Sequence, residues 1–393
     1  MAMALEGIRV VHVTRTFPAS MATMYLADMG AEVIKIEEPG YMARRAVGEA
    51  KMLEQLSWII DRNKKSVQLN LKDAEAREAL LKLVDTVDVF VEGLRPGVME
   101  RLGFGYAALS ARNPRLVYAS LSGYGQSGPY VDLAGHDLNY ISIAGILDVT
   151  GPKGAAPIPP GVPIADLGGG AVQLALGVLT ALLARERTGR GQYVDAAMTD
   201  QMATWMVLHL ASYLYSSQVP SRGDIFASGV MPFYRVYECA DGRYISIGTT
   251  EPWLFANFCR AIGREDFIAR QYAGESPEQR EQMAQEIAAI MRTKTRAAWF
   301  ELLRKADVCV APVNTLDEAI RDPQLVHRGM FPEQQLPDGR RFTSVGMALK
   351  FSDTPGTVRT PPPADGEHTA ATLRALGYGA AQIAAMRERG ACL

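Results

Sequence analysis

The feature that most constrains this chain is the alternation of short apolar runs with amphipathic ones between Ile8 and Leu121. Ile8-Arg9-Val10-Val11-His12-Val13 reads as a buried strand, Ala19 to Met29 as a helix, and Glu32-Val33-Ile34-Lys35-Ile36 as a second strand. Ser66 to Asn70, the helix Asp73 to Leu83, Val87 to Val91 and Leu116 to Leu121 continue the series. Strands that are apolar without alternation are covered on both faces, and short connections through helices make them parallel. The expectation is an α/β chain with a doubly wound parallel sheet.

At 393 residues the chain exceeds one small core, so two domains are expected. From Asp132 to Asp166 the pattern dissolves into glycine and proline. An apolar helix, Ala171 to Arg187, and a Met-rich helix, Asp195 to Tyr215, follow. Ala240-Asp241-Gly242-Arg243 marks a hairpin, helices occupy 252–305, 308–363 is helix-poor, and Thr369 to Arg387 is helical.

A net charge of −2 leaves no basic field for a nucleic acid. The best apolar stretch, Ala171 to Ala184, is too short to span a bilayer, and the N-terminus has no secretory pattern. Four cysteines without CxxC or Cys/His spacing imply reduced thiols in a cytoplasmic setting and no metal site. The last residues, Ala391-Cys392-Leu393, lack the central positive charge of a peroxisomal Ser-Lys-Leu ending.

Gly123-Tyr124-Gly125-Gln126-Ser127-Gly128 fits GxGxxG, but Pro129 precludes the helix that a dinucleotide fingerprint requires. Three polar patches carry the chemistry instead: Gly135-His136-Asp137-Leu138-Asn139-Tyr140, Asp166-Leu167-Gly168-Gly169-Gly170, and Glu251-Pro252. An imidazole works as acid or base near neutrality, and a carboxylate beside a like charge and an apolar wall has its pKa raised toward that range. The residues themselves leave blander roles open: a loop histidine, an aspartate N-cap for the apolar helix, an acid at a helix start. The glycines would let backbone N–H groups approach a ligand at that helix start. Met198, Met202 and Met206 have core spacing, or form an adaptable apolar floor. Arg62, Lys64, Lys65, Arg95, Arg44 and Arg45 lie in segments where together they could hold phosphates.

These segments, with Asp61-Arg62-Asn63-Lys64-Lys65, Gly93-Leu94-Arg95-Pro96-Gly97 and Gly189-Arg190-Gly191-Gln192, resemble the family III CoA-transferase superfamily and, within it, the α-methylacyl-CoA racemase branch. The segment Arg15-Thr16-Phe17-Pro18 and the loop 40–56 depart from its pattern. The resemblance implies a Rossmann-like large domain made from both chain ends: 1–190, a linker at 191–225, a small α+β domain at 226–325, and the return at 326–393. It also implies an interlocked homodimer. It casts His136, Asp137, Asp166 and Glu251 as proton-transfer residues on a 2-methyl-branched acyl-CoA. His136, backed by Glu251, serves the S substrate and Asp166, paired with Asp137, the R substrate. CoA is part of the substrate and no separate cofactor is needed. The substrate contacts expected are Arg62, Arg95, Gly125, Tyr140, Gly168, Gly169, Met198 and Met202. A CoA-transferase with Asp166 as nucleophile and a non-catalytic acyl-CoA binding protein are the rival readings.

Overall fold

The structure, a computed structural model, describes residues 2–14, 16–41 and 47–393. Arg15, Arg44 and Arg45 lie outside the described residues. Six parallel strands form one sheet: β1 (Arg9–Val13), β2 (Glu32–Glu37), β3 (Lys64–Gln68), β4 (Val89–Glu92), β5 (Val117–Ser122) and β6 (Tyr193–Ala197). Their order, β3-β2-β1-β4-β5-β6, reverses direction between β1 and β4. In such sheets ligands bind outside the carboxyl ends of the strands at that reversal.

Local chemistry explains most of the boundaries. Asp73 caps the helix Ala74–Val84, its carboxylate accepting from the amides of Glu75 (2.9 Å) and Ala76 (3.0 Å). Such a cap is worth about 1 kcal/mol. The apolar stripe of that helix (Ala76, Leu80, Leu83) buries against Val11, Ile34, Val67 and Phe90 of the sheet. Leu373, Ile383 and Met386 from the chain's end join the same core, and Leu69 bridges Cys392. The first helix begins at Phe17 rather than Ala19, because Pro18 in its first turn needs no amide partner.

Two expectations are corrected. The single helix foreseen over Asp195 to Tyr215 is β6 followed by the helices Met198–Trp205 and Val207–Ser216. Tyr193 to Ala197 register against β5 and become a strand despite methionines at helical spacing downstream. The apolar helix starts at Ala165, so its 24 residues to Thr188, with an 18-residue window of mean hydropathy 1.8, are long and apolar enough to cross a membrane by length and composition. One face of it packs in the core, with Leu174, Val178 and Leu182 buried and buried Arg185 paired with Asp88 at 2.9 Å, while Val172, Leu176 and Leu183 stay exposed.

The chain divides into two compact units, one of 1–144, 161–205 and 323–393, the other of 145–160 and 206–322. The foreseen linker at 191–225 therefore holds a strand and two helices, and the division falls after Trp205. The smaller unit has an antiparallel sheet of β7 (Tyr234–Glu238), β8 (Tyr244–Gly248) and β9 (Val310–Pro312). Gly242, at φ +70°, makes the expected hairpin turn. The helices Pro252–Ala261, Pro277–Met291 and Arg296–Lys305 pack on this sheet around Phe233, Phe255, Phe258, Ile287 and Trp299.

Candidate active site

The loop that presents His136 is built around one tyrosine. The Tyr140 ring fills the space where side chains at 123 and 135 would stand. A Cβ on Gly123 would lie 2.3 Å from Tyr140 Cε1, and one on Gly135 2.7 Å. The Tyr140 hydroxyl donates to the Gly135 carbonyl at 2.5 Å, and Tyr124 packs edge-on against the ring at 5.2 Å. Both glycines are therefore demanded by the aromatic wedge. Tyr140, expected as a substrate contact, positions the loop from beneath. His136 then takes the N-cap position of the helix Asp137–Ile143, where Asn139 Oδ1 accepts from its backbone N–H at 3.0 Å. That bond leaves the imidazole outside the cap, and the residue is exposed.

Asp137 reaches across to the second patch. Its Oδ1 accepts from the amides of Ala165 (2.6 Å) and Asp166 (3.0 Å), which begin the apolar helix. An anion suits that end, where amides lack helical partners and the dipole is positive. The sequence suggested Asp166 as a local N-cap; the cap is instead supplied by Asp137, and Asp166 sits in the first turn. That turn is a π-helix, Ala165–Val172, a conformation that appears mostly as short segments and often at functional positions. Half-buried Asp166 has its carboxyl pushed up to about 6, first by burial and then by the Asp137 charge, with His136 opposing. The three groups thus share one electrostatic neighbourhood.

The glycine run has a packing reason of its own. A Cβ on Gly168 would fall 2.3 Å from Trp205 Cη2, one on Gly169 2.8 Å from the Met198 carbonyl oxygen, and one on Gly170 2.6 Å from Pro18 Cβ. Glycine here seats the π turn tightly on two neighbouring helices. Met198 and Met202 are buried core side chains, so neither offers an open floor to an acyl chain. Gly125, at φ +90°, makes a turn held by Ser122 Oγ on its own amide (2.9 Å) and by Asp195 Oδ2 on the amide of Gln126 (3.0 Å).

A cavity of about 1550 Å3 opens near the carboxyl ends of β1 to β3, with Thr14, Thr16, Lys35, Trp58, Leu94 and Arg340 among its lining. Arg62 is not available to it. Its guanidinium is fully buried, pairs with Asp28 at 2.7 Å, and donates to Ser344 Oγ (3.1 Å) and the Val345 carbonyl (2.5 Å). This corrects its expected phosphate role, since a cation surrounded by its own acceptors has no free donor to give. Lys64 is likewise held by Asp61 at 2.9 Å, and Lys65 by Glu32. Arg95 is exposed in the turn after β4. Glu251 stands at the N-cap position of Pro252–Ala261 in the smaller unit, accepting from Thr250 Oγ1 at 2.8 Å.

Sequence reasoning passed over Glu92, a carboxyl at the end of β4 that is buried without a cationic partner among the described residues. An acid closing the apolar run Val89-Phe90-Val91 was the available signal. No cluster of three or more metal-ligating side chains occurs among the described residues.

The family model of CoA-transferase family III matches residues 5–369. The chain is 34% identical to alpha-methylacyl-CoA racemase of Mus musculus, over 97% of this chain and 95% of that one. It is 30% identical to succinyl-CoA:glutarate CoA-transferase of Mus musculus, over 94% and 86%. The crystal structure of a CAIB/BAIF family protein from Brucella suis superposes with a TM-score of 0.81 at 27% identity, covering 96% of this chain and all (100%) of the other. With its six-stranded parallel sheet, its two polar patches brought together and a family model matched over nearly its whole length, this chain belongs to CoA-transferase family III.

Proposed function

We propose that the protein is a racemase of 2-methyl-branched acyl-CoA thioesters, working by proton removal on one face of the α-carbon and delivery on the other. The observation that carries this reading is the meeting of the two patches, where Asp137 accepts from the Ala165 and Asp166 amides and places the Asp166 carboxyl in the field of Asp137 and His136. Abstraction breaks the Cα–H bond, and its electron pair moves into the carbonyl as an enolate. The second group then gives its proton to the opposite face. Each group must be able to hold and to release a proton. A carboxyl titrating at about 6 does both near neutrality, with about a tenth protonated at pH 7. In this scheme His136 takes the proton of the S substrate, and Asp166, tuned by Asp137, that of the R substrate.

The large cavity at the strand ends is the natural dock for the CoA handle, with exposed Arg95 beside it at the sheet's reversal point. An interlocked homodimer is part of the proposal. It is supported by the helix Val207–Ser216, which buries none of its residues and leaves Leu208, Leu214 and Tyr215 72–94% exposed. A cytoplasmic setting agrees with four free cysteines.

Relatives in the family include succinyl-CoA:glutarate CoA-transferase, and a transferase reading of this chain would make Asp166 the nucleophile that forms an acyl anhydride. The two readings part in deuterated water with one chiral acyl-CoA and no acceptor acid. The racemase reading expects deuterium at the α-carbon and loss of optical activity. An unchanged substrate that transfers CoA only after a carboxylic acid is added would refute it.

A further inference from the structure

We propose that Glu92 is a positioning residue that shapes the Gly93–Gly97 turn and, through its own charge, sets how strongly the crevice between β1 and β4 holds the phosphates of the CoA handle. The inference rests on the reading that an acyl-CoA docks there. Its geometry starts at Gly93, where a Cβ would come within 2.6 Å of Thr14 Oγ1 and 2.9 Å of Thr16 Oγ1, so the end of β4 lies tightly against the end of β1. The chain then turns, and the Leu94 amide donates to Glu92 Oε2 at 2.8 Å. The Ser120 hydroxyl on β5 donates to Glu92 Oε1. One carboxyl therefore ties β4 to β5 and fixes the turn that carries Leu94, which lines the cavity, and Arg95.

No cation balances that carboxyl among the described residues. The groups facing it are Ser120 and Tyr118 of β5, Tyr193 and Asp195 of β6, and Glu100 of the helix Val98–Arg101, which also bears Arg101. The Tyr118 hydroxyl, also buried, has no hydrogen-bond partner among the described residues. Burial, reinforced by Glu100 and Asp195, pushes Glu92 up to about 7 against the two hydrogen bonds it accepts. Below that pH the crevice has a neutral acid under its rim; above it, an uncompensated anion. A phosphate repels that anion, so binding an anionic handle favours the protonated form and draws a proton from solution.

Binding of coenzyme A and of dephospho-CoA to the wild-type protein and to Glu92→Gln, by titration calorimetry from pH 6 to 8.5, tests this. Dephospho-CoA matters because the 3′-phosphate of CoA itself titrates near 6. For a charge roughly 10 Å from the phosphates at an effective dielectric of about 40–80, wild-type affinity for dephospho-CoA should fall about two- to fivefold across that range. Titrations at pH 7 in buffers of different ionisation enthalpy should show proton uptake. Glu92→Gln should bind with a flat profile and no uptake, with affinity near the wild-type low-pH value. A flat wild-type profile overturns the proposal even if the variant does not fold, and so does an identical slope in both proteins. Absence of wild-type binding at millimolar ligand at every pH refutes the acyl-CoA reading, and the proposal with it.

Discussion

Replacing Asp137 with asparagine separates the two things that residue does. Asparagine keeps a carbonyl oxygen where Oδ1 accepts from the Ala165 and Asp166 amides, so the start of the π turn should hold. What it removes is a negative charge beside Asp166. Burial is the larger cause of the raised Asp166 carboxyl and the Asp137 charge the second, so the value should drop from about 6 without returning to its ordinary 3.8. For two charges roughly 6 Å apart at an effective dielectric of about 40–80, the repulsion is about 0.7–1.4 kcal/mol. That corresponds to about 0.5–1 pKa unit. The assay is the pH dependence of kcat/KM for deuterium exchange into the R substrate, whose acidic limb reports the base in the free protein. The limb should move to lower pH by that amount in Asp137→Asn. A limb that stays in place, or moves upward, refutes the claim that Asp137 tunes Asp166.

Other consequences follow from the same geometry. Arg62→Met should lower stability by about 3–5 kcal/mol in denaturant unfolding, because it leaves buried Asp28 without its cation; a folded variant altered only in KM for the acyl-CoA substrate would return Arg62 to the phosphate role. Gly168→Ala should destabilise by about 1–3 kcal/mol, since the new methyl would sit 2.3 Å from the Trp205 ring; thermal unfolding unchanged from wild type would contradict the packing role of the glycine run. Glu92 titrates at about 7 folded and at an ordinary 4.5 unfolded, so the folded state binds the extra proton between those values. Stability contributed by that site is therefore present below 4.5 and lost as pH rises toward 7, by about 3 kcal/mol at most. Glu92→Gln should accordingly gain on the wild type between pH 5 and pH 8 in melting temperature, and a constant difference would contradict the buried acid.

The parts of this molecule legible in its sequence are those whose cause is local. Asp73 before an amphipathic stripe announces its helix, and Asp241-Gly242 its hairpin, because cap and turn chemistry act within a few residues. His136 and Asp166 stood out because polar groups amid glycine and aromatic residues have little local reason to be there. What escaped was set by distant chain. Asp137 caps a helix that starts 28 positions later, and no spacing rule carries that pairing. Arg62 looked like a surface cation because its Ser344 partner lies 282 residues away. The methionines read as a helix face from their first member onward, but pairing with β5 claimed Tyr193 to Ala197 first.

Single-base variants test the two-faced arrangement most directly. His136→Ala and Asp166→Ala would each be incubated with pure R and pure S 2-methylacyl-CoA in deuterated water, with α-exchange and optical activity followed together. His136→Ala should still exchange the R substrate and Asp166→Ala the S substrate, each without inversion, because the remaining group works on one face only. Racemisation by either variant, or exchange lost for both enantiomers in both variants, would contradict an imidazole and a carboxyl acting from opposite sides of one carbon.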